Sequence, residues 1–183
     1  MLELPLSEAD ARSLRVGETV YLSGEIITAR DRAHARILER VALGERLPDH
    51  FYGAAVFHCG PIVAGSDGNW LVMAAGPTTS SRMDAVQAPV IEALGLRAVI
   101  GKGGMSADVG KTMESVGCVY LAATGGAAVT LAESVNHVIG VDWADLGMAE
   151  AVWRFRVSRF GPLIVAMDAH GNSLYADVER GLK

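Results

Sequence analysis

Cysteine is almost absent: the 183 residues hold two, Cys59 and Cys118. They lie far apart in sequence, without C-x-x-C spacing, and each sits in an apolar run, which predicts two buried free thiols. A cubane iron–sulfur cluster generally takes three or four protein ligands, so this chain alone does not supply a set. Basic runs are missing as well. The 16 Lys and Arg are scattered against 21 Asp and Glu, and the net charge of −5 argues against nucleic acid as the main partner. No apolar run approaches the length of a membrane span. Met1-Leu2-Glu3-Leu4-Pro5 lacks the basic flank and apolar core of a signal peptide, which predicts a cytoplasmic protein. With no internal repeat and no low-complexity linker, residues 1–183 read as a single domain.

What the chain has is apolar residues and glycine. Half its residues are hydrophobic and 20% are charged, enough to bury a real core. The mean hydropathy of +0.27, with 21 glycines, points to apolar surface reserved for a partner. The alternative is an unusually well-filled core.

Hydrophobic periodicity divides the chain into alternating elements. Val20 to Ile27 reads as a strand. Ala33, Ile37, Leu38 and Val41 share one face of a helix over Asp31 to Ala42. Ala54 to Cys59 and Trp70 to Ala75 read as buried strands, separated by Gly60-Pro61 and the turn Ser66-Asp67-Gly68-Asn69. Met83 to Leu94 reads as a helix with Gly95 just past its end. A strand at Ala98 to Ile100, a helix near Val109 to Val116, a strand at Val119 to Ala123 and a helix over Ala127 to Val135 follow. The last third reads as β-rich: His137 to Val141, Ala151 to Val157, and Leu163 to Met167. After a polar turn at Asp168 to Ser173, Leu174 to Val178 reads as a returning hairpin strand. This is an α/β domain with a mixed, partly parallel sheet and helices packed on it.

Two segments carry most of the functional signal. Gly76-Pro77-Thr78-Thr79-Ser80-Ser81-Arg82-Met83-Asp84 leads from a strand into a helix. Hydroxyls, backbone amides and an arginine then gather at a helix N-terminus, where the dipole favours an anion. Ile100-Gly101-Lys102-Gly103-Gly104-Met105 puts a lysine among glycines at the end of the next strand. Each alone is also what a helix cap or a turn looks like. Both at the carboxyl ends of consecutive strands describe a pocket for a small, multiply anionic molecule.

These segments occur in order with Thr28-Ala29-Arg30-Asp31-Arg32-Ala33-His34, Thr124-Gly125-Gly126-Ala127-Ala128, Leu146-Gly147-Met148 before Glu150-Ala151-Val152-Trp153, and Asp168 to Ser173. Together they resemble the β subunit of two-subunit class I fumarate hydratase, which corresponds to the C-terminal domain of single-chain enzymes. The tartrate dehydratase β subunit is a close relative. The likeness runs from about Val16 to Tyr175. It implies a swivelling β/β/α domain paired with a class I fumarase α subunit, as α2β2 with a β–β contact. It further implies a [4Fe–4S] cluster held by three cysteines of that partner and by no residue of this chain. The implied reaction is reversible hydration of fumarate to L-malate.

The same resemblance assigns substrate contacts to Arg30, Arg82 and Lys102 and to Thr78 and Thr79. It also makes Thr78 a participant in proton transfer at C3. The residue types suit the chemistry. A dicarboxylate needs fixed cations to orient it and to stabilise the charge that builds on a carboxylate as a C–H bond breaks. Arginine supplies a planar fork and lysine a point charge. A neutral threonine is a poor base, so Thr78 reads better as a ligand than as a base.

His34, one helical turn after Arg30, either lines the site or orients Asp31, itself a candidate site-lining residue, or else is a surface or capping histidine. Asp168 and His170 read as turn residues, Gly125 and Gly126 as close-packing positions, and His58 and His137 as strand histidines. The resemblance implies the β subunit of a heteromeric hydro-lyase, inactive alone, with fumarate ahead of L(+)-tartrate. A non-catalytic dicarboxylate-binding or assembly module is the alternative from another class. A self-sufficient, metal-independent lyase lacks an evident strong base.

Overall fold

A computed structural model describes residues 1–66, 68–124 and 126–181. Asp67 and Gly125, both in motifs named above, lie outside the described residues.

The strands are β1 (Leu2–Glu3), β2 (Thr19–Thr28), β3 (Ala55–Phe57), β4 (Ile62–Ser66), β5 (Asn69–Ala74), β6 (Ala98–Gly101), β7 (Val119–Ala123), β8 (Val135–Asp142) and β9 (Val152–Met167). The helices are α1 (Glu8–Ser13), α2 (Asp31–Ala42), α3 (Asp84–Leu94), α4 (Ala107–Val116), α5 (Ala128–Glu133) and α6 (Leu174–Gly181). Seven strands form one mixed sheet in the order β1-β2-β3-β6-β7-β9-β8. β2, β3, β6 and β7 run parallel, joined by helical crossovers, while β9 runs antiparallel to β7. β9 also pairs antiparallel with β2, from Thr19↔Ile164 to Ile27↔Arg154, so the sheet closes on itself.

Closure explains the apolar pattern. In β3, Ala55 and Phe57 face the enclosed core with Leu22, Ile100, Leu121, Phe155 and Phe160. The intervening Val56 faces outward with Val99 and Tyr120, where Ile37, Val90, Ile91, Leu94, Val109 and Met113 of α2, α3 and α4 cover them. Strands buried on both faces become short continuous apolar runs, which is how β3, β6 and β7 read in sequence.

The structure corrects five expectations. The strand ending at Ala74 is not buried in the main sheet. It pairs only with β4 in a separate two-stranded sheet, and Leu71 and Met73 are 63% and 53% exposed. The two strands expected between Ala151 and Met167 are one strand of 16 residues. The helix expected over Ala127 to Val135 is shorter, and Val135 already opens β8.

The segment from Leu174 is a helix rather than a hairpin strand. Its apolar residues Leu174, Tyr175 and Val178 follow helical spacing, and the Ser173 hydroxyl accepts the Ala176 N–H at 3.4 Å near its start. Leu6 to Val16, mixed in its apolar pattern and given no regular element from sequence, holds α1. Its Ser7-x-x-Asp10 capping box was the overlooked signal.

Candidate functional site

The carboxyl ends of β2, β3 and β6 lie side by side, and a segment from elsewhere in the chain is laid across them. Beyond Phe57 and Ile100 the backbones of β3 and β6 part, with one last bond from His58 N–H to the Ile100 carbonyl at 2.8 Å. Pro77 to Ser80 enters there. Thr78 N–H donates to the His58 carbonyl at 2.7 Å, Lys102 N–H donates to the Thr78 carbonyl at 3.3 Å, and Ser80 N–H donates to the Lys102 carbonyl at 3.0 Å. Cys59 pairs with Pro77 and Thr79 with Lys102 as isolated bridges. The two segments singled out in the sequence are therefore neighbours joined by backbone hydrogen bonds.

This lacing narrows the expectation of an anion held by helix amides. The Thr78 and Ser80 amides are already bonded within the sheet edge. A four-residue 3-10 turn, Ser80–Met83, stands between the threonines and α3. Thr78 is half-buried, and Thr79, Arg82 and Lys102 are exposed.

Arg30 comes from the end of β2 and occupies the N-cap position of α2 with no side-chain cap of its own. A carboxylate from across the sheet takes that role. Glu150 accepts the Arg32 N–H at 2.9 Å, in the first turn of α2, and stands 3.5 Å from Arg30 Nε. Buried Thr28 fixes this loop: its hydroxyl accepts the Trp153 N–H at 3.0 Å and donates to the Ala151 carbonyl at 3.4 Å. The Trp153 indole also donates to the Met148 carbonyl at 2.8 Å. Gly60 is required beside it, since a Cβ there would stand 2.5 Å from Arg30 Nη1 and 2.8 Å from the Ala149 carbonyl oxygen.

Asp31 ties the two arginines together. Its Oδ2 is 2.9 Å from Arg82 Nη2 and 3.9 Å from Arg30 Nη2. Arg30 Nε is buried without a hydrogen-bond partner. Lys102 takes part in none of the ion pairs among the described residues. Three cations thus face two carboxylates, leaving the local formal charge positive.

His34 is neither a surface nor a capping residue. It is fully buried, with Nδ1 at 2.9 Å from the Arg30 carbonyl oxygen and Nε2 at 3.0 Å from Gln87 Oε1. His58, just past β3, is equally buried, with Nε2 at 2.8 Å from the same Gln87 oxygen and Nδ1 at 2.9 Å from Ser80 Oγ. The Tyr120 hydroxyl donates to that Ser80 oxygen at 2.9 Å. Burial holds both imidazoles below the ordinary value of 6.5, His58 well below it, with His34 adding to the effect on His58.

Sequence reasoning did not single out Gln87, Ser80, Tyr120 or Glu150 as site residues. Gln87 was findable, because it shares an apolar face with Met83 at the N-cap of α3, four residues before it, and with Val90, Ile91 and Leu94, three, four and seven residues after it. A polar residue on such a face demands partners.

Other candidates serve the fold. Burial pushes Asp168 up, but hydrogen bonds from Asn172, His170 and Val16 outweigh this and hold its carboxyl below the usual range. His170 Nε2 is 2.8 Å from the Arg12 carbonyl oxygen, and His137 is exposed on β8. The thiols of Cys59 and Cys118 are buried and pushed up to about 12 by that burial. Among the described residues no three His, Cys, Asp or Glu side chains are grouped to hold a metal ion. A donor set of two separate, protonated thiols does not fit an iron–sulfur cluster. Among the described residues no helix is long and apolar enough to cross a membrane.

The fold and site define a mixed α/β domain that presents paired arginines, a lysine and two threonine hydroxyls at the carboxyl ends of strands in a closed sheet. The chain belongs to the family described as Fumarase C-terminus, whose model matches residues 1–178. It is 47% identical over 176 residues to the "Putative L(+)-tartrate dehydratase subunit beta" of Methanocaldococcus jannaschii, covering 96% of this chain and 90% of that one. It is 38% identical over 177 residues to the L(+)-tartrate dehydratase subunit beta of Escherichia coli, covering 97% and 87%. It is also 41% identical over 180 residues to the "Putative fumarate hydratase class I" of Geobacillus stearothermophilus. That match covers 98% of this chain but 34% of the relative, whose remaining length has no counterpart here. The relatives are hydro-lyases and hydro-lyase subunits, and the name subunit beta implies a multi-subunit enzyme with an alpha partner.

Proposed function

We propose that this chain is the β subunit of an iron–sulfur-dependent hydro-lyase that adds water to fumarate to give L-malate, reversibly and only together with its α subunit. The observation that supports it is the convergence of Arg30, Arg82, Lys102, Thr78 and Thr79 at the carboxyl ends of neighbouring strands, with the lysine in no ion pair among the described residues. The [4Fe–4S] cluster is assigned to the partner, because the two thiols of this chain do not fit one.

The roles of this chain follow from charge and geometry. Arg30 and Arg82 offer guanidinium forks to a substrate carboxylate, which shares or displaces the place now held by Asp31. Glu150 and Gly60 keep Arg30 in position. Lys102 meets carboxylate charge as a point cation, and its value rises as the partner closes the site against water. When the proton at C3 leaves, charge spreads onto the adjacent carboxylate, and these fixed cations stabilise it without rearranging. The Thr78 and Thr79 hydroxyls donate hydrogen bonds to the bound acid. Thr78 stands in the proton path at C3, with a base from outside this chain to activate it.

A second reading, dehydration of L(+)-tartrate, is favoured by the names of the relatives at 47% and 38% identity. The cations of this chain serve either dicarboxylate. Purification of the tagged chain from its own host without oxygen, followed by assays with fumarate, L-malate and L(+)-tartrate, tests both. The expected result is a brown, cysteine-bearing partner and turnover of fumarate. Turnover of tartrate alone would establish the second reading. An intact, cluster-loaded complex that turns over neither would refute both.

A further inference from the structure

Below the substrate-facing side chains lies a buried polar chain that the proposed chemistry does not use: the Arg30 carbonyl, His34, Gln87, His58, Ser80 and Tyr120. His34, Gln87, His58, Ser80 and Tyr120 are fully buried. The His34 and His58 rings meet edge to face, with centroids 5.2 Å apart. The chain touches each segment that carries a proposed substrate ligand. His34 bonds the carbonyl of Arg30, the His58 carbonyl receives the Thr78 amide, and Ser80 bonds Lys102 through its amide and His58 through its hydroxyl. Gly101 leaves the room this requires, since a Cβ there would collide with the Ser80 hydroxyl.

Proton counting fixes the state of the network. The Arg30 carbonyl has no proton, so His34 must carry one on Nδ1. A neutral ring then has a bare Nε2 that needs a donor, and the only group there is the Gln87 amide. With the amide oxygen facing both imidazoles, each ring must donate from Nε2. His34 would then be a buried cation, and both N–H donors of the amide would be left buried with no partner, where the turned amide leaves one oxygen there instead. With the amide turned end for end, its NH2 donates one proton to His34 Nε2 and one to His58 Nε2. His58 keeps its proton on Nδ1 and donates to Ser80, and both rings are neutral.

We infer that His34, Gln87, His58 and Ser80 are positioning residues, an uncharged hydrogen-bonded strut with the Gln87 NH2 shared between two Nδ1–H imidazoles, which sets Arg30, Thr78 and Lys102 in register for the substrate. Neutrality suits the place, because a buried imidazolium would add a cation beneath three others and repel the dianion's ligands from one another. The charged and titratable groups facing the strut are Arg30, Asp31 and Glu150 beside His34, and Asp84 and Tyr175 beside Tyr120. Only the kinetic part of the test rests on the function proposed above.

The test begins on the wild-type full chain. Imidazole nitrogen NMR should show His34 and His58 neutral and protonated on Nδ1 from pH 6 to 8. A charged ring, or an Nε2–H tautomer at either, overturns the inference without any variant having to fold. Gln87→Glu removes the shared donor and offers a carboxylate, which draws protons onto the rings. Its His34 and His58 signals should then titrate near neutral pH, and the Thr78 and Lys102 amide signals should move with them. Unmoved amides would reduce the strut to a packing role.

In the complex with the partner, wild-type kcat/KM should stay free of that titration. Gln87→Glu should lower kcat/KM about tenfold and add a pH-dependent limb at the pH of the ring titration. An equal loss at every pH with a lower Tm would also overturn positioning. An inactive wild-type complex would count against the hydro-lyase reading and leave the NMR result to decide the strut.

Discussion

Lys102 is an exposed lysine with no ion-pair partner among the described residues, while every arginine of the site already has a carboxylate neighbour. Removing it therefore costs little stability and much binding. Lys102→Ala should lower kcat/KM of the complex by at least about tenfold, the worth of one charged hydrogen bond in a water-poor site, and leave Tm unchanged. Near-wild-type kinetics would remove Lys102 from the site. Gly60→Ala makes the converse case. The added methyl meets Arg30 Nη1 and the Ala149 carbonyl, so Arg30 must shift, and KM should rise while Lys102 is untouched. An unchanged KM would mean that Arg30 does not hold substrate. Lys102 was legible in the sequence as a lysine at a strand end and Arg82 as an arginine at a helix start, while Arg30 came only through the resemblance carried by Thr28-Ala29-Arg30-Asp31. Glu150 was not, because its link to Arg30 and to α2 spans more than a hundred residues.

At the scale of elements, α2 is held to the sheet by contacts that local sequence does not announce. Arg36 grips Asp145 with two bonds of 2.8 Å, Arg32 donates to the Leu146 carbonyl at 3.2 Å, and Glu150 supplies the missing N-cap. Glu150→Gln keeps a weaker acceptor but removes the negative charge from the helix N-terminus. It should destabilise the chain by about 0.5–1 kcal/mol in denaturant unfolding and raise KM by loosening Arg30. No change in either would deny the cap. The apolar runs of β3, β6 and β7 announced themselves because both faces of those strands are covered. β5 misled for a related reason. Its residues are apolar on both sides, yet only Trp70 and Val72 pack inward while Leu71 and Met73 stand exposed. Composition cannot distinguish a strand buried on two faces from one left open on the second. The α6 helix was mistaken for a strand because five residues are too few for period alone to decide.

The whole molecule is a closed mixed sheet with helices on its outer face and one polar strut crossing from helix to strand ends. Two neutral imidazoles buried in it make stability depend on pH with a definite sign. Above 6.5, the ordinary value for histidine, both rings are uncharged folded or unfolded, and they contribute no slope. Below it the unfolded chain binds protons that the folded chain refuses, so unfolding becomes easier as pH falls. The limit is about 1.4 kcal/mol per pH unit for each ring. Tm should therefore decline from pH 6.5 toward 5, and a flat profile would contradict the buried, neutral assignment.

Closure of the sheet was not legible, since β9 meets β2 across more than 120 residues of sequence, from Thr19↔Ile164 to Ile27↔Arg154, and its two halves read as separate strands. The ordered motifs were legible, and they led to the family. The central claim, that one edge of this domain holds a dicarboxylate, is tested most directly by inhibition of the anaerobic complex with succinate, compared with its monomethyl ester. The account predicts that wild type prefers the dianion by at least about tenfold and that Lys102→Ala loses most of this preference. Equal inhibition by both compounds in the wild type, or a preference untouched in Lys102→Ala, would contradict it.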